Sequence, residues 1–416
     1  MVHQHGDEHD IPHHHRVHRQ VFPIPGGWLP ADHRLHRDWL SKQIKHVDGH
    51  GDQKPKLIPV LQEFKDFIEG NPRIYMYFSQ MWEEVPHKHP YDKDPTGAAQ
   101  IRDYEHMLDM LNHVFTKAPE WTDAAYGVGM VGVPMVGIFD YAMATPSGHA
   151  AFLDPDVNRM LKKVLNEWGK FLQTPASAEV LNAESGWFGK ARHGGPDVRR
   201  QRAPEDVAHS WDDFFTRQLR EGVRPVASPE DDSVVANACE SKVYNVARRE
   251  AAGPVLDQGP AVLGGGHAGA RPAVGAVRRV HRVPGVPVGA VDGTYFSEPI
   301  LEKDGGQEYE IDSRGISMAQ GYLTALATRA VIFIEADNPD IGLMAFIGIG
   351  MDEVSTCDIT VKEGQHIKKG EQTGMFHFGG SSHCLLFRKG VKIDGFPDVG
   401  RDENVPVRSK VAVVSK

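Results

Sequence analysis

Met375-Phe376-His377-Phe378-Gly379-Gly380-Ser381-Ser382 is followed, one residue on, by Cys384-Leu385-Leu386-Phe387 and the turn Arg388-Lys389-Gly390. The apolar residues on either side read as two short strands, so Gly-Gly-Ser-Ser is a tight strand-to-strand connection. A serine directly after Gly-Gly can bend its hydroxyl back onto the preceding carbonyl, the geometry of an intramolecular N-to-O acyl shift. Attack of Ser381 Oγ on the Gly380 carbonyl, then β-elimination and hydrolysis, would leave a pyruvoyl group on the downstream fragment. Such an electrophile can hold an amine as a Schiff base and draw electrons from its α-carbon, as decarboxylation requires. Taken alone, the same four residues also make an ordinary turn or linker.

Working outward, residues 361–371 read as a strand, a Gly turn and a return strand. Further strands are expected at 242–247, 330–336, 341–349, 354–361, 376–378, 384–387 and 410–414. Before residue 226 the period is helical. Asp154-Pro155 is an N-cap with proline at the first helical position. Val157, Met160, Leu161, Val164, Leu165, Trp168, Phe171 and Leu172 follow at three- and four-residue steps. Residues 101–115 repeat that pattern. Ser210 and Asp213 predict an N-cap and third-position acid for a helix over 211–221, stopped by Gly222, with Phe214, Phe215 and Leu219 buried. The fold class is therefore α+β: an N-terminal helical region packed on an antiparallel β-rich domain. The divisions expected are a His-rich disordered tail over 1–27, a helical domain over 28–205 and a catalytic domain over 206–416.

Composition sets the boundaries of function. The net charge of -10 argues against nucleic acid as a partner. The longest apolar run, 124–139, is broken by glycines and Pro134, so it predicts a buried or membrane-touching segment and no transmembrane helix. The first twenty residues are polar and do not read as a signal peptide. Three cysteines without ligand spacing suit a reducing, cytoplasmic setting, or one peripheral to a membrane. Between His3 and His50 lie 11 of the 23 histidines, read as a solvated tail, with metal capture the other reading and no metal site expected.

The segment around Ser381 resembles the processing site of the phosphatidylserine decarboxylase family, Gly-Ser-Thr or Gly-Ser-Ser before an apolar strand. Trp211-Asp212-Asp213-Phe214-Phe215-Thr216-Arg217 with Arg224-Pro225-Val226, and Gly348-Ile349-Gly350-Met351 leading to Val354-Ser355-Thr356-Cys357, agree with it. Within that family the chain resembles the fungal L-tryptophan decarboxylase branch of the psilocybin-pathway type. The blocks are 59–69, Lys117-Ala118-Pro119, Ala238-Cys239-Glu240-Ser241 with Tyr244-Asn245-Val246, and 332–382. The resemblance implies self-cleavage between 380 and 381 into a large β chain and a small α chain, a pyruvoyl cofactor from Ser381, and decarboxylation of an aromatic amino acid such as tryptophan. Phosphatidylserine is the alternative substrate, and a homo-oligomer is compatible with the sequence.

The resemblance also assigns site residues. Ser381 is nucleophile and pyruvoyl precursor, and Gly380 carries the attacked carbonyl. Gly348, Gly350 and Met351 border the pocket, although glycine in a strand also marks a bulge or a close backbone contact. The family's base is a histidine of a Tyr-His-Arg-x-His block, held by an Asp of a Pro-Ala-Asp-Gly block. Here the second block reads Asn237-Ala238-Cys239-Glu240, which leaves Glu240 as the stand-in carboxylate. The first block is missing, which makes His377 the nearest candidate base, with solvent-facing strand residue as its other reading. His383 and His366 rank behind it, and Ser382 could orient the ester or donate to an oxyanion. The missing block should fall in 251–291, where 35 of 41 residues are Ala, Gly, Val, Pro or Arg. That composition reads as a linker, or as a stretch translated out of frame. Genomic DNA encoding Tyr-His-Arg-x-His in another frame would bear out the second reading. A chain lacking that block could also be an inactive product.

Overall fold

The computed structural model describes residues 33–85, 101–121, 134–143, 145–182, 187–188, 208–246, 262–265, 279–280, 289–291, 327–350, 353, 356–377, 382–399 and 404–416. The tail predicted over 1–27 lies outside them.

Among the described residues seven α-helices come first: α1 His33–Asp48, α2 Pro59–Gly70, α3 Pro72–Glu84, α4 Tyr104–Val114, α5 Pro134–Met143, α6 Pro146–Phe152 and α7 Pro155–Leu172. Their starts follow from side-chain acceptors placed before the first turn. Asn71 accepts from Arg73 N and Ile74 N, Asp103 from His106 N, and Thr145 from Gly148 N. Asp154 accepts from Asp156 N and Val157 N, as the sequence predicts. The expected face of α7 is buried, with Leu165 and Phe171 partly so. The part of the broken apolar run that falls in α5 is buried from Met135 to Phe139, and the burial continues to Met143. The Lys117-Ala118-Pro119 stretch has a packing role: the Trp168 indole donates to Lys117 O at 3.1 Å and the Trp187 indole to Pro119 O at 2.8 Å.

The helix predicted over 211–221 is shorter, α8 Trp211–Phe215. Its last carbonyls are taken by side chains: Thr216 Oγ1 donates to Asp212 O at 2.8 Å and Arg217 Nη1 to Phe214 O at 3.0 Å. These bonds end the helix at Phe215, seven residues before Gly222. Its N-terminus forms as expected, Asp213 N donating to Ser210 Oγ and His209 N to Asp213 Oδ2. Trp211, Phe214 and Phe215 are buried in the same apolar core as α1–α7.

Among the described residues all strand pairs are antiparallel. One sheet orders β1 Val234–Ala236, β12 Lys410–Ser415 and β11 Lys392–Asp394. A larger sheet orders β2 Ser241–Val243, β3 Val262–Gly265, β10 Ser382–Phe387, β7 Leu343–Ile349, β6 Arg329–Glu335 and β4 Arg279–Val280, with β5 Gly289–Val291 also on β6. A third pairs β8 Thr356–Ile359 with β9 Gly374–His377. Two expectations change. The interval 251–291, read as a linker, supplies the backbones of β3, β4 and β5. The hairpin expected over 361–371 does not form a ladder. It keeps its turn at Gly364, with φ of 77°, but β8 pairs with β9 across the whole excursion.

Candidate active site

The connection between β9 and β10 carries Gly380 and Ser381, which lie outside the described residues, as does Met351. The residues around them converge by strand pairing. Ser382 opens β10 opposite Ile349, and His383 stands opposite Gly348. On the neighbouring pair, Thr356 faces His377 and Cys357 faces Phe376. The Cys357 thiol donates to Gly348 O at 3.7 Å, tying the β8–β9 pair to the end of β7. A side chain at Gly348 would meet the rings of Phe346 and Phe376 at 3.3 Å, so glycine keeps this corner open. Gly350 N donates to Thr328 O at 2.8 Å. The structure thus brings the β9 terminus, the start of β10 and Gly348 together.

His377 ends β9 with its ring largely buried. Its Nδ1 lies 2.9 Å from Asp212 Oδ1, and its Nε2 is 3.9 Å from Asp358 Oδ2. Asp212 comes from α8, 165 residues away in sequence. His383 is fully buried beside Phe346, the ring centroids 5.8 Å apart and the planes 27° apart. Its Nε2 has no hydrogen-bond partner, and burial pushes its pKa down to about 3, so the ring is neutral at physiological pH.

Comparison with known proteins identifies the framework. A family profile described as phosphatidylserine decarboxylase matches residues 58–194, and a second of the same description matches 267–412. Decarboxylase iboD of Amanita muscaria is 33% identical over 330 residues, covering 68% of this chain and 92% of that protein. The chain belongs to the phosphatidylserine decarboxylase family. It falls in that family's tryptophan-decarboxylase-like branch: the L-tryptophan decarboxylase of Psilocybe cubensis is 29% identical over 426 residues, with 89% and 91% of the two chains covered. Phosphatidylserine decarboxylase proenzyme 2 of Oryza sativa subsp. japonica is 23% identical over 252 residues, 57% of this chain and 38% of its own length. The protein is therefore a decarboxylase, a carboxy-lyase. No helix among the described residues is long and apolar enough to cross a membrane.

At the position of the family's Asp, Cys239 is buried and its thiol is pushed up in pKa by desolvation, so it stays protonated. The same burial pushes Cys357 and Cys384 up to about 12. Both Glu240 oxygens are engaged: Oε1 accepts from Arg224 Nη2 at 2.7 Å, and Oε2 from Arg224 Nε at 2.9 Å and Val407 N at 3.2 Å. Asn237 reinforces that corner, its Nδ2 donating to Val405 O and its carbonyl accepting from Arg408 N. The carboxylate that meets His377 is Asp212.

Sequence reading missed Asp212, which lay in a block quoted for its family resemblance with no role of its own, and also Glu353. The Glu353 carboxylate is buried and caps α5, accepting from Met135 N at 2.8 Å and Val136 N at 3.3 Å. Its only sequence signal was membership of the Gly348–Cys357 block. The capped helix begins more than two hundred residues earlier, so no local pattern points to it.

Proposed function

We propose that this chain is the precursor of a pyruvoyl-dependent decarboxylase that cuts itself between Gly380 and Ser381 and acts on an aromatic amino acid such as L-tryptophan. The observation that carries the reading is the placement of Gly379-Gly380-Ser381-Ser382 between the end of β9 and the start of β10, within a family of decarboxylases. The residues present fit a group made at Ser381. A terminus released there stays docked, because 382–387 pair residue by residue with 344–349. The fragment would also hold β11 and β12, the latter paired with β1 of the large fragment.

When formed, the pyruvoyl group supplies the carbonyl electron sink that stabilises the carbanion left by loss of CO2. Ser381 is the residue that would carry it, and Gly348, Gly350 and Met351 would leave room for the substrate. His377 would accept a proton at Nε2 during processing and hold one beside the substrate afterwards. Ser382 and His383, next to the proposed cut in sequence, are buried. The relatives named for L-tryptophan decarboxylation cover most of this chain, which favours a free amino acid over phosphatidylserine.

An intact-mass measurement on the expressed chain tests this. A fragment of 36 residues, Ser381 to Lys416, blocked at its N-terminus by pyruvoyl is the expected product. A single uncut chain refutes the proposal and identifies an inactive product. Release of CO2 from tryptophan, compared with phosphatidylserine vesicles, then decides the substrate.

A further inference from the structure

We propose that Asp212 is the positioning residue for His377, and that the helical layer thereby enters the processing site; this rests on the reading of Ser381 given above. The imidazole Nδ1 and the carboxylate Oδ1 are 2.9 Å apart, with both side chains largely buried. Facing a carboxylate, Nδ1 must carry the proton and donate it, which leaves the Nε2 lone pair as the basic nitrogen. Asp358 Oδ2, 3.9 Å from Nε2, is beyond hydrogen-bond distance and half-exposed. Among the described residues, Asp212 from α8 and Asp358 from β8 are charged groups facing the ring.

Asp212 is held from behind by the helical core. Trp211 N donates to Ser177 Oγ at 2.8 Å, and Ser177 Oγ donates to Leu172 O at the end of α7. The Trp211 ring stacks on Phe215 at 5.1 Å, and the Arg217 guanidinium sits 4.9 Å from the centre of the Phe214 ring. A carboxylate on so short and well-anchored a helix loses little freedom in meeting the imidazole. During processing, the Ser381 Oγ proton passes to His377 Nε2, and an Oγ–C bond forms at the Gly380 carbonyl. The Gly380–Ser381 C–N bond then breaks, and the proton returns to the Ser381 nitrogen, leaving a neutral ester and amine.

The full-length precursor, its S381A form and Asp212→Asn are followed by intact mass against time and pH, with melting temperature measured on each. Asp212→Asn should melt like the wild type, cut itself roughly 10²-fold more slowly or worse, and show an altered pH profile. Cutting within about twofold of wild type overturns the assignment to Asp212 and leaves Ser381 in place. Cleavage of the S381A chain at the wild-type rate overturns the reading of Ser381 instead. A second measurement does not require cleavage. Nitrogen NMR of the His377 ring in the S381A precursor, assigned with His377→Asn, is taken at about pH 9, above the ordinary imidazole range. A protonated Nδ1 with a bare Nε2 supports the proposal; the opposite tautomer overturns it, including for a wild-type chain that stays whole.

Discussion

Replacing His383 by Leu should stabilise the β7–β10 pair against acid. His383 is buried, stacked on Phe346, and carries an imidazole nitrogen without a partner. Its pKa is about 3 in the folded chain and about 6.5 in the unfolded one. The folded value is the lower. Between those two pH values the unfolded chain therefore binds a proton that the folded chain refuses, and stability falls as pH falls. The contribution is intact above about 6.5 and lost in full near 3; at pH 5 the loss is about 2 kcal/mol. The leucine chain lacks this term. At neutral pH it also gains on the order of 1 kcal/mol from removal of the orphan nitrogen, less what the lost ring contact costs. All seven tryptophans precede β1, so indole fluorescence reports the helical half. The assay is native-state hydrogen exchange of peptides covering 343–349 and 382–387, at about pH 7.5 and pH 5, in uncut S381A chains. His113, which burial pushes down to about 4, is common to both chains and cancels. Opening free energies that drop equally on acidification in the two chains, to within about 0.5 kcal/mol, refute the argument.

Further outcomes follow from single contacts. Gly374→Ala would place a Cβ 2.2 Å from the Asp358 carbonyl oxygen, so the β8–β9 pair must shift. A loss of about 1–3 kcal/mol in urea denaturation and slower self-cleavage are expected, since β9 carries His377. Glu353→Ala leaves two buried N–H groups of α5 without their acceptor; a loss of about 2 kcal/mol or more is expected, with Glu353→Gln intermediate in thermal melts. Glu240→Ala strips the Arg224 guanidinium, whose pKa the Glu240 hydrogen bond holds up, of its carboxylate. It should cost about 1–2 kcal/mol, while nitrogen NMR of His377 stays unchanged.

The parts of the fold legible in the sequence are those specified locally. Asp154 before Pro155 announces α7, and the apolar steps behind it give the buried face, because capping and helical periodicity act within a few residues. The Gly-Gly-Ser-Ser connection is legible for the same reason. The extent of α8 was not, because Thr216 and Arg217 end it with side-chain bonds that resemble ordinary helix continuation. The strands within 251–291 were hidden because β3 owes its place to backbone pairing with β2 and β10, which asks for no side-chain pattern. At the site, the glycines and the serine show as a motif. The pairing of His377 with Asp212 joins two segments 165 residues apart, and only the fold reveals it.

The two carboxylates missed in the sequence cross the same seam in opposite directions. Asp212 is rooted in the helical core and reaches the end of β9. Glu353 belongs to the loop after β7 and reaches the first turn of α5. A carboxylate left buried without its partner costs several kcal/mol, so removing the partner of either one while the seam stays closed is expensive. Each layer is therefore the other's source of polar satisfaction. In α8 itself the two roles meet: Trp211, Phe214 and Phe215 are buried in the helical core, and Asp212 meets His377.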